Sequence, residues 1–148
     1  MSGGTFKATR VTARRGVGIT VLAAFASLGG AASAASLDAS IVGAWATSAA
    51  DCSKIFERRG GGIVFRQPVD KFSQAAIIDP SQIRAPSSVC QLHNVSRENG
   101  AFRIDGECRD SISYTKQTLR IKVQGPGQIT YSPSGNPALD TSLVKCRV

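Results

Sequence analysis

One histidine, one tryptophan and one methionine are all that this chain of 148 residues has of each. A lone histidine rules out a His-rich zinc site, and the four cysteines never fall in a C-x-x-C spacing, so no metal centre or other cofactor is expected. The triplet Gly60-Gly61-Gly62 lacks the Lys-Ser/Thr pair that would complete a phosphate-binding loop, and no H-E-x-x-H pair is present. The apolar run Val17 to Leu28 is well short of the roughly 20 residues a spanning helix needs. No internal repeat or heptad pattern occurs, so neither a solenoid nor a coiled coil is expected.

The N-terminus reads as a leader. Lys7, Arg10, Arg14 and Arg15 precede the uncharged run, which ends in Gly29, Gly30 and then Ala-Ala-Ser-Ala. This is the charged, apolar and small-residue order of a signal peptide. Cleavage is expected after Ala34, with Ala32 three positions from the bond, so residues 1–34 form the leader and 35–148 one domain. Arg14 and Arg15 resemble a twin-arginine signal, but Gly16 and Val17 stand where bulky apolar residues belong, and the export route stays open. The leader carries four of eighteen basic residues and none of ten acidic ones, leaving fourteen against ten, or +4, on the remainder. That balance suits an ordinary soluble surface, with no nucleic-acid partner and no stable membrane insertion once the leader is gone.

Cys52, Cys90, Cys108 and Cys146 all follow the leader, and an even set in an exported domain predicts two disulfides in a periplasmic or secreted protein. The turn Glu98-Asn99-Gly100 predicts one pairing. A three-residue loop sets Arg97 opposite Ala101 and, seven residues out, Cys90 opposite Cys108. Cys90, Leu92, Phe102, Ile104 and Cys108 then share an apolar face, and Gln91, His93, Arg97, Arg103, Asp105 and Glu107 share a polar one, with Asn94 core-facing. A two-residue Asn-Gly loop loses that sorting by pairing Cys90 with Arg109. Cys52 is left for Cys146.

Elsewhere, Ile41 to Ala46 predicts a strand. Ser48-Ala49-Ala50-Asp51 has the form of a capping box, followed by Cys52, Ile55, Phe56 and Arg59 at helical spacing, and Gly60 as stop. Strands are expected at Gly62 to Arg66, Phe72 to Ile78, Ile83-Arg84, Ser111 to Gln124, Gln128 to Tyr131 and Ser142 to Arg147. Apolar residues change phase between Tyr114 and Leu119, which predicts a bulge near Thr115 to Gln117. About eight short strands with one helix give a mainly β fold, a small antiparallel barrel or sandwich.

Gly43-Ala44-Trp45 on the first strand resembles the G-x-W of lipocalin-type barrels. That resemblance implies a Trp plugging one barrel end with an Arg of the last strand packed across it, here Arg147; an ordinary core role for Trp45 is the alternative. The spacing of Trp, Cys and Gly also resembles small exported bacterial proteins of unknown function, and the design is similar to periplasmic inhibitors of proteases or lysozyme.

Two functional readings follow. His93 across from Asp105 is half of an acid/base pair, but Ser96 points to the opposite face, so no catalytic residue and no enzyme are expected. Arg58, Arg59 and Arg66 flank the Gly60 to Gly62 turn and suit a carboxylate or phosphate ligand, unless Arg58 and Arg59 simply answer a helix dipole. The first reading is therefore a non-catalytic envelope binding or inhibitor-type module that recognises an acidic protein or glycan. The second is a lipocalin-like carrier of a small apolar ligand, which needs a cavity beside Trp45. Asn94-Val95-Ser96 matches a glycosylation sequon and reads as accidental, given a core-facing Asn94.

Overall fold

The run Ala75-Ala76-Ile77-Ile78 is buried on both faces, a pattern a strand shows only when layers cover it on each side. Ala76 and Ile78 face one apolar cluster with Trp45, while Ala75 and Ile77 face a second with Phe56 and Cys52. The computed structural model, which describes residues 36–148, shows what lies on either side. The leader and its cleavage point at Ala34 lie outside the described residues.

In chain order the elements are β1 (Gly43–Ala46), α1 (Ala49–Ile55), β2 (Phe56–Arg59), β3 (Gly62–Phe65), β4 (Ala75–Ile78), β5 (Gln82–Arg84), β6 (Val89–Glu98), β7 (Ala101–Arg109), β8 (Tyr114–Gly125), β9 (Gln128–Ser132), a 3-10 turn at Pro137–Leu139 and β10 (Thr141–Lys145). Eight of the strands close an antiparallel barrel in the order β1-β10-β9-β8-β7-β6-β5-β4, and β2 and β3 form a separate two-stranded hairpin. Trp45, Ile78, Ile83, Phe102, Ile104, Leu119, Ile121, Ile129 and Leu143 fill the interior, and Leu37 and Ile41 join them from the segment before β1. Outside the wall, α1 and the hairpin bring Cys52, Phe56, Ile55, Ile63 and Phe65 onto Ala44, Ala46, Ala75, Ile77 and Cys146.

Both disulfides form as expected, Cys52 with Cys146 and Cys90 with Cys108. The local route to the second differs from the expectation. The loop has two residues, with Glu98 opposite Ala101 and both Asn99 (φ 50°) and Gly100 (φ 75°) in the left-handed region, as a type I′ turn requires. A bulge at His93, between the Leu92–Gly106 and Asn94–Asp105 pairs, then shifts the register by one and returns Cys90 to Cys108. In consequence Val95 packs inward and Asn94 is exposed, the reverse of the expected facing.

Four further expectations are corrected. The helix stops at Ile55 rather than Arg59, because Phe56–Arg59 pairs with Gly62–Phe65 around Gly60 (φ 59°) and Gly61 (φ 82°), and a ladder of bonds outweighs one more helical turn. Ser48 caps no helix amide and instead donates its hydroxyl to Asp51 Oδ2 at 2.6 Å. No bulge interrupts 115–117: β8 pairs with β7 without a break from Tyr114 to Lys122, and its irregularity lies between Val123 and Gly125 against β9. The phase change has a simpler cause, for Ile112 and Tyr114 face solvent. Phe72 likewise lies outside any strand, fully exposed, and β4 begins at Ala75.

Two outcomes are expected in urea unfolding. Loop-closure entropy over separations of 94 and 18 residues makes removal of Cys52–Cys146 cost about 4.5 kcal/mol and of Cys90–Cys108 about 3 kcal/mol; the reverse order contradicts the role given to the long bridge. Beside the bulge, a Cβ on Gly106 would stand 2.8 Å from the Gln91 carbonyl oxygen. Gly106→Ala is accordingly expected to destabilise by about 1–3 kcal/mol, and an unchanged midpoint would show that β6 yields freely there.

Candidate functional site

Where α1 and β2 lie over the end of β10, a cleft of about 810 Å³ opens. Cys52 and Phe56, both buried, sit at its base, and the bridge from Cys52 to Cys146 fastens its two walls together. Arg58 and Arg66 line one wall, Lys145 and Arg147 the other, and Glu57 is the single carboxylate side chain among them.

The three arginines expected around one glycine turn therefore part company. Arg58 shares the Phe56 face of β2, and its Nε donates to the main-chain oxygen of Val148 at 2.8 Å, while its terminal nitrogens make no hydrogen bond among the described residues. Arg66 is structural: its Nε donates to the Ser53 and Phe56 carbonyls at 2.8 and 3.2 Å, closing the C-terminal end of α1. Arg59 lies outside the cleft lining and pairs with Glu57 at 2.5 Å. Glu57 is also 3.5 Å from Arg66, so its charge is answered on β2 and β3 themselves. The helix-dipole explanation of Arg58 and Arg59 fails because neither residue is on the helix.

Two members of the site escaped the sequence reading. Lys145 stands directly opposite Trp45 in the β1–β10 pairing, with its ammonium 5.5 Å from the indole ring centroid and donating to the Ser40 carbonyl at 2.7 Å. It occupies the position expected of Arg147, whose exposed side chain turns instead into the cleft and forms no ion pair among the described residues. No signal local to the C-terminus distinguishes these roles. Two residues apart, they would share a face in a regular strand, but β10 ends at Lys145 and the chain leaves the ladder before Arg147.

Trp45 itself is a core residue whose Nε1 donates to the Ile41 carbonyl at 2.8 Å. The barrel interior beneath it is filled, and beside it lies a small opening of about 320 Å³ between Ser40-Ile41 and residues 123–129. Phe65 packs outside the barrel against Phe56 with ring centroids 5.4 Å apart.

On the far side of the barrel the bulge turns His93 toward Glu107 rather than Asp105, with Nε2 3.2 Å from Oε2. Asp105 accepts from Thr118 Oγ1 at 2.9 Å. The Tyr114 hydroxyl also donates to Glu107, and this bond first, then His93 and Lys116, holds the Glu107 carboxyl below its usual value. No family model, curated protein or solved structure matches the chain.

Asp38, Asp51 and Asp110 are lowered with Glu107, chiefly by hydrogen bonds from Ser40, Ser48 and the Ile112 amide respectively. A carboxyl lowered in the folded state stabilises fully above its unfolded value near pH 4, and that contribution disappears as pH falls through the folded value. The urea midpoint is expected to drop between about pH 5 and pH 3, less steeply in Glu107→Gln. A flat profile would contradict this assignment.

Proposed function

We propose that the protein is an exported, non-catalytic binding protein of the cell envelope, of the inhibitor or interaction type, that recognises an acidic partner in the cleft between β2 and the end of β10. The observation that carries this reading is the gathering of Arg58 and Arg147 along one cleft whose only carboxylate side chain, Glu57, is already engaged by Arg59 and Arg66. Cations held on a rigid frame attract and orient carboxylates or phosphates, and Arg does so with two parallel bonds. The base supplied by Phe56 and the Cys52–Cys146 bridge adds apolar contact. Two disulfides suit an oxidising compartment, in keeping with the leader read at residues 1–34 and a periplasmic or secreted location. With the barrel interior packed, a carried ligand would have only the small opening beside Trp45.

Calorimetric titration with polyglutamate tests the assignment. Arg58→Ala combined with Arg147→Ala is expected to weaken binding about tenfold or more without moving the unfolding midpoint. Arg59→Ala is expected to bind as the parent does, and Arg66→Ala to lower stability by about 1 kcal/mol through the lost helix closure. Undiminished binding by the Arg58/Arg147 double variant would place the site elsewhere.

A further inference from the structure

The register of the outer hairpin dictates which main-chain groups of β2 point away from its partner. Phe56 pairs with Phe65, Glu57 with Val64, Arg58 with Ile63 and Arg59 with Gly62, and the Arg66 amide donates to the Ile55 carbonyl at 2.8 Å. Hydrogen-bonded and non-hydrogen-bonded pairs alternate along an antiparallel ladder. With Arg66 and Ile55 bonded, Glu57 and Val64 are the next bonded pair, and Phe56 and Arg58 turn their N–H and C=O groups to the outer edge. Two side chains agree with this phase: Arg66 Nε meets the Phe56 carbonyl on that edge, and Arg84 Nη2 meets the Ile63 carbonyl at 3.2 Å on the opposite one.

Three of the outward groups of the hairpin are already covered. Arg84 takes the Ile63 carbonyl of β3, the Phe56 amide donates to the Cys52 carbonyl of α1, and Arg66 takes the Phe56 carbonyl. The N–H and C=O of Arg58 have no partner among the described residues. This open stretch borders the cleft, whose lining takes Phe56, Glu57 and Arg58 from β2 and nothing from 62–65. Across the cleft the chain has also left its sheet: after the Cys146 amide donates to Ala44, Arg147 makes no ladder bond among the described residues.

We infer that the acidic partner enters as an extended polypeptide segment that adds to the outer edge of β2 as a third strand, setting carboxylates against Arg58 and Arg147. This rests on the anion-recognising reading of the cleft and narrows the partner to a protein. A peptide unit satisfies a strand's donor and acceptor together, whereas a sulfated or uronic glycan does not repeat that donor–acceptor pair at the spacing of a strand. The closed barrel has no free edge, so among the described residues strand addition is confined to this hairpin. Alternate side chains of the added strand would face the Phe56 and Arg58 side, which favours acidic residues at every second position.

The test titrates the oxidised protein with a blocked hexapeptide of alternating Glu and Val, with two versions N-methylated on either the Glu or the Val residues, and with dextran sulfate as a polyanion lacking peptide groups. The parent peptide is expected to bind, and one of the methylated versions to bind about tenfold more weakly because its edge bonds are lost. Hydrogen exchange of the Arg58 amide is expected to slow on binding, while that of Arg59, already in the hairpin ladder, stays as it was. Equal binding by all three peptides, or by dextran sulfate with no binding of peptide, would overturn strand addition and leave the anionic cleft standing. Binding by neither class of probe would remove both.

Discussion

Burial of one patch of barrel wall on both of its faces is the constraint from which the rest of the molecule follows. β1 and β4 lie side by side, with Trp45, Ala76 and Ile78 inward and Ala44, Ala46, Ala75 and Ile77 outward. An apolar outer face on a small barrel has to be covered, and α1 with the β2–β3 hairpin is the cover. Small residues at 44, 46 and 75 let that layer approach closely, and Phe56 stacks beside Phe65 upon it. The Cys52–Cys146 bridge holds the layer where packing places it, across a separation of 94 residues.

The basic cleft is a by-product of that cover. A two-layer region ends where its outer layer ends, and at this seam the side chains of β2 meet those following β10. Cations that sit far apart in the chain, Arg58 against Arg147, become neighbours there, while the one nearby acidic side chain is held by Arg59 and Arg66. The charge of the site thus comes from which residues the seam leaves unpaired, since the domain as a whole is only moderately basic.

A second local compromise governs the long β6–β7 hairpin. A type I′ turn at Asn99-Gly100 suits the strand twist, and it would misalign Cys90 with Cys108 by one residue. The bulge at His93 absorbs that residue, and Gly106 opposite allows the backbones to come close. The result swings His93 onto Glu107 and turns Val95 into the core.

Several properties were legible in the amino-acid order alone. Alternating faces and frequent turn residues specified a small antiparallel β fold with one helix, and the even cysteine set, with the sorted faces around Cys90 and Cys108, specified both bridges. These depend on local periodicity, which neighbouring residues carry. Tertiary structure decided the rest. Helix or strand for Phe56–Arg59 turned on whether Gly62–Phe65 was within reach to pair with it, and two-residue loop plus bulge against three-residue loop was undecidable because both bring Cys90 to Cys108. The exchange of places between Lys145 and Arg147, one over Trp45 and one in the cleft, depends on a layer contributed from ninety residues earlier in the chain. No local pattern encodes a contact of that span, because such a contact exists only once the barrel has closed and its outer wall has been covered.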